Sequence, residues 1–287
     1  MRVSIIGIGD MGRDIATHVH KGGHELVATD IDEQRRADGR ERGLTVVNSL
    51  AEAVKGAEVH LVVVATDEQS ATVSREIVKH GDAGSIIVIL ATNGIETMQH
   101  LSSEMHKKGF GFVDAPVCFG RSGAREGTLV SLCGGTEEEI DRIRPVLDCY
   151  SRAVHRVGDS GAGQLGKACN NMLHWEHCVG NFEVLLLAKR YGVDAQRMRE
   201  TLLDCPATNG TLARWDDTRF TWQEKDMDLA LEMAQSAGLS LPLFGQIDQL
   251  VKHLNADRVA ALLYGEEAEY LGLEVKPMSA DEGGIKR

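Results

Sequence analysis

Short β-branched runs that alternate with helical segments constrain the fold of this chain more than any other feature. Four of these runs have the length of a buried strand: Val3–Ile8, Glu25–Asp30, Val59–Ala65 and Ser85–Ala91. This rhythm is typical of repeated βαβ units, so it predicts an α/β Rossmann-type domain with a doubly wound parallel sheet. Further strands are expected at residues 111–117, 128–135 and 153–158.

The strand signal stops after Gly158, and the remaining sequence has a helical composition with breaks at residues 191–194, 205–210 and 237–242. We therefore expect a Rossmann domain at residues 1–158 and an all-helical C-terminal domain at residues 159–287. A long interdomain helix from about residue 161 to 190 would join them. Residues 277–287 are polar and are expected to form a loose tail.

Charge and cysteine usage exclude several classes of partner. The 287 residues include 31 Lys and Arg against 43 Asp and Glu, a net charge of −12, and the basic residues are scattered. We therefore expect neither a nucleic acid nor a membrane as partner. The N-terminal apolar stretch is too short for a signal peptide, which favours a cytoplasmic location. The six cysteines and eleven histidines lack metal-ligand spacing, so neither a metal site nor a disulfide framework is expected.

A glycine-rich turn follows the first predicted strand. Gly7, Gly9 and Gly12 form the GxGxxG pattern at the start of a helix, where glycines allow a pyrophosphate to approach the helix N-terminal amides. Asp30 ends the second predicted strand, where a carboxylate can bind the ribose hydroxyls of NAD and repel a 2′-phosphate. NAD is therefore the expected cofactor, and Arg35 and Arg36 keep NADP as the alternative.

A polar stripe marks the start of the predicted long helix. Lys167, Asn170, Asn171 and His174 follow one another at i, i+3, i+4 and i+7, and so share one face. The other face is apolar and predicts a mostly buried helix: Leu165, Ala168, Cys169, Met172 and Leu173. A lysine in an amphipathic helix is usually solvated, but one beside two amides also suits proton transfer.

Four segments together resemble the β-hydroxyacid dehydrogenases, the group that includes 3-hydroxyisobutyrate dehydrogenase and tartronate semialdehyde reductase. They are GIGDMGRDIA at residues 7–16, DAPVCFGRSGAREGTL at 114–129, GAGQLGKACNNM at 161–172 and KDMDLALEMAQSAGLSLP at 225–242. Their order matches that of the family, and they span nearly the whole chain. The resemblance implies an NAD-dependent oxidoreductase that interconverts a β-hydroxyacid-like alcohol and its aldehyde or ketone by hydride transfer.

The resemblance also implies roles for individual residues. Lys167 would be the general acid and base, and Asn171 would orient the substrate. The residues expected to bind the cofactor are Gly7, Ile8, Gly9, Asp10, Met11, Gly12, Asp30, Ala65, Thr66, Thr92 and Lys225. The residues expected to line the substrate site are Cys118, Phe119, Gly120, Arg121, Gly123, Asn170 and His174, of which His174 also suits a packing role.

Two residues depart from the family loop Asp-Ala-Pro-Val-Ser-Gly-Gly. Cys118 and Phe119 replace its serine and first glycine, and a thiol is a weak donor. Because phenylalanine resists the positive φ that glycine adopts freely, we expect a remodelled carboxylate cradle, with Arg121 as a candidate replacement donor. Asn170 stands where 6-phosphogluconate dehydrogenase tends to carry histidine, which argues against that decarboxylating reaction.

Two other functions remain open at this point: an imine reductase of the same fold and a non-catalytic NAD-binding sensor. The retained Lys167 and Asn171 favour carbonyl chemistry over both. The expected partners are a small-molecule substrate and further copies of the chain, in a dimer or tetramer formed through the helical domain.

Overall fold

The computed structural model describes residues 1–285, apart from the side chain of Asp217, and divides into two compact units. Unit 1 is Met1–Lys167, and unit 2 begins at Ala168. The division therefore falls inside the long helix, a few residues beyond the boundary expected from the sequence.

Unit 1 alternates strands and helices as the β-branched runs predict. Its elements are β1 (Arg2–Ile6), α1 (Asp10–Lys21), β2 (Glu25–Thr29), α2 (Glu33–Glu41), α3 (Leu50–Val54), β3 (Val59–Val62), α4 (Asp67–His80), β4 (Ile86–Ile89), α5 (Ile95–Lys107), β5 (Gly111–Asp114), β6 (Val117–Cys118), α6 (Gly120–Glu126), β7 (Leu129–Gly134), α7 (Glu137–Leu147), β8 (Ser151–Gly158) and the start of α8 (Ala162–Arg190).

The sheet is parallel in its first half and mixed in its second. The strand order is β2-β1-β3-β4-β5-β7-β6, with β8 paired to β7. The first five strands in this order are parallel, whereas β7 runs antiparallel to both β5 and β6. The predicted Rossmann-type fold is confirmed, and the run at 111–117 forms two strands because Ala115 and Pro116 interrupt it.

Buried apolar side chains on both faces of this sheet show that both faces are covered by helices. Along β4, Ile86 and Val88 point into one buried cluster, and Ile87 and Ile89 point into the other. Since successive strand residues alternate between faces, both faces must be apolar, and the strands read as continuous hydrophobic runs. The parallel strands end at one common edge, which therefore gathers the loops that follow them.

Helix α8 confirms the predicted long helix within one residue at its start. The expectation that its apolar face is buried is wrong for part of that face. Leu165 and Leu173 are 47% and 51% exposed, and Cys169 is also exposed. The apolar pattern correctly predicts a helix but does not by itself specify which part of the chain, if any, covers it.

Unit 2 is predominantly helical around its own core, which includes Trp175, Phe182 and Trp215. Its further elements are α9 (Ala195–Leu203), α10 (Gly210–Ala213), a 3₁₀ helix (Trp215–Asp217), α11 (Gln223–Ser236), α12 (Pro242–Val251), α13 (Ala256–Tyr264), β9 (Ala268–Tyr270), β10 (Leu273–Val275) and a second 3₁₀ helix (Ala280–Glu282).

Two features of unit 2 differ from the sequence-based expectation. Strands β9 and β10 form an antiparallel hairpin whose two-residue turn, Leu271 and Gly272, has positive φ at both positions. Such a turn normally contains Asn-Gly or Asp-Gly, so leucine hides it from the sequence. The segment expected to be a loose tail is ordered up to Ile285, whose N–H donates to the carbonyl of Tyr191. Residues 286–287 lie outside the described part of the chain.

Candidate active site

The glycine turn between β1 and α1 has no room for side chains. Gly7 has φ of +95°, and a Cβ there would lie 2.2 Å from the Val63 carbonyl oxygen. A Cβ on Gly12 would lie 2.0 Å from the Gly7 carbonyl oxygen. Gly9 caps α1 without a side-chain hydrogen bond, so the first-turn N–H groups have no side-chain cap there. This arrangement fits the pyrophosphate of a dinucleotide.

Asp30 lies directly after β2, beside the glycine turn. Its Oδ2 accepts the N–H of Ile8 at 2.8 Å, and its Oδ1 accepts the N–H of Asp32 at 3.0 Å. These bonds fix the carboxylate at the position where Rossmann domains bind a ribose, and each oxygen keeps further acceptor capacity.

The two arginines that follow differ in their partners and in their exposure. Arg36 donates to the backbone carbonyl of Asp30 and pairs with Glu33, so it is committed to the start of α2. Arg35 is half exposed and lies 3.7 Å from the Asp30 carboxylate. Arg35 is therefore the more exposed of the two cations near the expected ribose site.

The other expected cofactor residues of unit 1 follow β3 and β4 at the same sheet edge. Thr66 caps α4 by accepting the N–H of Gln69, while the N–H of Ala65 donates to the Gln69 side chain. Thr92 follows β4, and Met11 is partly buried against the core of unit 1. The structure thus gathers these sequence-predicted positions around one edge.

Asn93 is a buried residue of this edge that sequence reasoning missed. Its N–H donates to Gln164 Oε1 at 2.9 Å, and its amide side chain donates to Asp67 at 2.7 Å and accepts from Ser70. It therefore links the loop that carries Thr92 to α4 and to the first turn of α8. The sequence signal for this residue was its position beside Thr92, one of the expected cofactor residues.

Asp114 is a second missed residue, and it holds the N-terminus of α8. Its Oδ1 accepts the N–H of Gly161 at 2.7 Å, and its Oδ2 accepts the N–H of Gln164 at 3.0 Å. Burial raises the pKa of this carboxyl to about 6, although the N–H donors act in the opposite direction. The aspartate of the DAPV segment thus anchors the helix that carries Lys167.

Lys167 is half-buried in the second turn of α8, near the loop that begins at Cys118. Burial raises the pKa of the Cys118 thiol, and the positive charge of Lys167 partly offsets this effect. The charge of the lysine therefore acts on the sulfur, and the thiol stays protonated at neutral pH. Cys118 offers a weak donor where the family has a serine hydroxyl.

The expectation that phenylalanine would avoid the left-handed conformation is wrong. Phe119 has φ of 82° and ψ of 7°, and Gly120 follows with φ of 54°. The aromatic ring lies against the Arg152 guanidinium, 4.3 Å from ring centroid to carbon. A Cβ on Gly123 would lie 2.6 Å from that of Phe119, so the turn needs glycine at residue 123. The loop keeps a glycine-like backbone with a phenylalanine in it.

Arg121 forms an ion pair with Asp10, the residue that opens α1. Arg13 lies 3.9 Å from the same carboxylate. The contact joins the glycine turn to the loop at 118–123 and gives Arg121 an acidic partner.

The rest of the polar stripe lies in unit 2. Asn171 is buried and accepts a side-chain N–H of Asn170 at 3.2 Å. His174 Nδ1 lies 2.9 Å from Thr211 Oγ1, and its ring packs against Trp175. These contacts favour a supporting role for His174.

Lys225 lies at the start of α11, with its Nζ 5.9 Å from the Trp222 ring centroid. The neighbouring Asp226 accepts the indole N–H of Trp175 at 3.2 Å, which ties α11 to α8 within unit 2. The family motif that contains Lys225 is thus anchored to the helix that carries Asn171.

The described residues do not place three or more His, Cys, Asp or Glu side chains together as a metal site, and all six cysteines are free thiols. Across residues 1–285, none of the helices is both long and apolar enough to span a membrane.

Comparisons with known proteins agree with this geometry. Residues 2–158 match the family model for the NAD binding domain of 6-phosphogluconate dehydrogenase. Residues 161–262 match the model for the NAD-binding region of NADP-dependent 3-hydroxyisobutyrate dehydrogenase. The chain is 30% identical to 3-hydroxyisobutyrate dehydrogenase of Pseudomonas aeruginosa over 84% of this chain and 88% of the relative.

Solved structures share the fold. The 3-hydroxyisobutyrate dehydrogenase of Mycobacterium tuberculosis, solved with L-serine, has a TM-score of 0.79 and 23% identity over 91% of this chain and 94% of that one. A Streptomyces aurantiacus imine reductase has a TM-score of 0.66 and 17% identity, over 88% of this chain and 93% of that one.

Proposed function

The chain belongs to the β-hydroxyacid dehydrogenase family and is an NAD-binding dehydrogenase that acts on CH–OH groups, and from this premise we propose its reaction. It interconverts a small compound carrying a hydroxyl β to a carboxylate with the corresponding aldehyde or ketone. Lys167 is the general acid and base, and Asn171 orients the substrate. The observation that carries the proposal is the position of Lys167 in the second turn of α8, whose N-terminus is held by Asp114 from the segment that leads into the loop at 118–123.

Lys167 takes up and returns the proton of the substrate hydroxyl. The glycine turn and Asp30 would hold NAD, which would supply the acceptor for the hydride of the carbinol carbon. In the oxidative direction Lys167 takes the hydroxyl proton. In the reductive direction, the Lys167 ammonium returns that proton to the carbonyl oxygen. Asn171 lies one helical turn from Lys167, so its amide is available to hold the same oxygen.

The loop at 118–123 suits a carboxylate anchor. Phe119 and Gly120 keep the left-handed backbone that a glycine pair would provide, which leaves a backbone-based cradle possible. Cys118 supplies a weaker donor than serine, so we infer a substrate preference that differs from that of 3-hydroxyisobutyrate dehydrogenases. An imine substrate is the second candidate, since the fold is also that of an imine reductase. The lysine and amide pair favours carbonyl chemistry.

The test is a panel of small hydroxyacids and cyclic imines assayed with NAD and NADP, with wild type and Lys167→Met. Turnover of a β-hydroxyacid should fall about 10²- to 10⁴-fold in the variant, because proton transfer contributes that much. NADH affinity, measured by fluorescence, should stay unchanged. A variant with more than about a tenth of the wild-type kcat would contradict the assignment, and turnover of imines alone would support the second candidate.

We further propose that a second copy of the chain covers the exposed apolar stripe of α8, giving a dimer or a tetramer. Leu173, Val184 and Leu187 on one side of this helix are 51–60% exposed, and Tyr191, directly after it, is 44% exposed. A stripe of this length is unusual on a monomer surface. Light scattering should give a multiple of 31.2 kDa for the wild type and a monomer for Leu187→Asp.

A further inference from the structure

Asp10 gives the glycine turn a charge opposite to the one its ligand requires. It is the first residue of α1, and its side chain is half exposed at the end of the helix where the pyrophosphate fits. A carboxylate at this position repels a pyrophosphate, even though it suits the positive end of the helix dipole. The turn therefore needs a compensating cation to bind NAD well.

Two arginines surround the Asp10 carboxylate. Arg13 is on α1 itself, but it is shared with Asp38, at 3.7 Å. Arg121 approaches from α6 and pairs with Asp10. When Asp10 and Asp38 are counted against Arg13 and Arg121, the charges at the mouth of the turn balance, and without Arg121 a net negative charge remains.

Packing between α6 and α1 fixes the backbone position of Arg121. The ring Nε2 of His18 lies 3.1 Å from the Arg125 carbonyl oxygen, and a Cβ on Gly127 would come within 2.9 Å of the His18 ring. The two helices therefore lie in direct contact, and Arg121 cannot drift away from the turn. Its guanidinium is 46% exposed, so N–H donors remain for a second partner.

An exposed ion pair of this kind contributes little to folding. It nevertheless holds a planar, bidentate cation at the place where phosphate oxygens arrive. We propose that Arg121 binds the pyrophosphate of the dinucleotide, and that Asp10 holds the guanidinium in place until the nucleotide arrives. This inference deepens the cofactor site and rests on the NAD-dependent function proposed above.

The assignment differs from the substrate-anchoring role that the sequence suggested for Arg121. It also gives the loop at 118–123 a direct link to the cofactor, because Phe119 and Gly120 immediately precede the arginine. Cofactor binding would thereby restrain the substrate loop before the substrate enters.

The test uses ADP-ribose, which carries the pyrophosphate, and adenosine, which does not, in competition with NADH fluorescence. Arg121→Gln should weaken ADP-ribose binding about ten-fold, as expected for one charge-assisted phosphate contact, and should leave adenosine binding unchanged. The salt dependence of ADP-ribose binding should also become shallower. The matched control is Arg125→Gln on the same helix, whose side chain is 73% exposed and pairs only weakly with Glu126.

A second variant keeps the test independent of any folding defect in Arg121→Gln. Asp10→Asn should tighten ADP-ribose binding several-fold because the repulsion is removed, and adding Arg121→Gln to it should weaken ADP-ribose binding again by about ten-fold. ADP-ribose affinity within two-fold of wild type in Arg121→Gln would overturn the inference. If that variant instead raised only the KM for the hydroxyacid, Arg121 would be a substrate residue. A wild type that fails to bind ADP-ribose would overturn the proposed function as well.

Discussion

The glycine turn at residues 7–12 and the loop at residues 118–123 solve the same backbone problem with different residues. Each leads from a strand into a helix within unit 1, and each needs a left-handed residue near the start of that helix. In the first case Gly7 takes the positive φ, and in the second Phe119 does. The comparison shows that a required conformation can be read from the sequence only where glycine provides it.

The phenylalanine turn is held by its surroundings. A left-handed non-glycine residue costs about 1–2 kcal/mol. The stacking of Arg152 on the Phe119 ring offsets part of this cost, because an exposed cation–π contact stabilises by roughly 0.5–1 kcal/mol. Arg152 is the extra residue of a β-bulge in β8, because Ser151 pairs with Leu129 and Ala153 pairs with Val130. Bulges of this kind redirect a side chain, here toward the ring.

The largest effect is expected where the glycine turn itself is changed. Gly12→Ala places a Cβ 2.0 Å from the Gly7 carbonyl oxygen, so the turn must distort. We expect NADH affinity to fall at least ~100-fold, because the amides lose their common orientation toward the pyrophosphate. Fluorescence titration measures this loss. Gly23→Ala is the control, since Gly23 has a positive φ but nothing within 4 Å of its Cβ position. It should lower stability slightly and leave NADH binding intact.

A difference in pH dependence should distinguish Asp114, which precedes the phenylalanine loop, from His60, whose Nδ1 lies 2.8 Å from Ser4 Oγ on β1, the strand that leads into the glycine turn. Asp114, before the phenylalanine loop, has a pKa raised to about 6, and His60, on β3, has a pKa lowered to about 4 by burial. Between about pH 4 and 6 the folded state binds the Asp114 proton more tightly than the unfolded state, so this contribution to stability falls as pH rises. Over the same interval the unfolded state binds the His60 proton more tightly, so that contribution rises. The two nearly cancel in the wild type.

Asp114→Asn removes the contribution to stability that falls as pH rises. The unfolding free energy of this variant, relative to wild type, should rise by about 3 kcal/mol from pH 4 to pH 6.5, because two pKa units correspond to that energy. His60→Gln should show the opposite trend. Urea unfolding at a series of pH values measures both, and parallel curves for the wild type and Asp114→Asn would contradict the assignment.

The smallest effect concerns the phenylalanine turn. At residue 119 we expect Gly to be more stable than Ala by about 1 kcal/mol, because both lose the ring but only Ala keeps the left-handed strain. The same pair at Ser122, inside α6, should show the reverse order, as helix propensity requires. Chemical denaturation of the four variants provides the comparison. If Ala were as stable as Gly or more stable at residue 119, Phe119 would not be strained.

The sequence was most informative where a single residue type determines the local backbone. Gly7 and Gly12, the β-branched runs and the helix breaks gave the Rossmann-type fold, the cofactor turn and α8. The conformation of Phe119 and the Leu271 turn could not be predicted, because in both a non-glycine residue takes a positive φ, and the arginine that stacks on Phe119 is distant in sequence. The roles of Asn93 and Asp114 depend on hydrogen bonds across 71 and 47 residues, which no local pattern reveals.

The C-terminal end of α8 has a consequence for synthesis of the chain. Arg190 donates through its side chain to the Lys276 carbonyl, 86 residues later, and its own carbonyl accepts the N–H of Met278. At translation rates of roughly 5–20 residues per second, that segment emerges about 4–17 s after the helix itself. During this interval the last turn of α8 lacks its final hydrogen-bond partners. A nascent chain should therefore expose the turn to proteases until the segment around Met278 has been made.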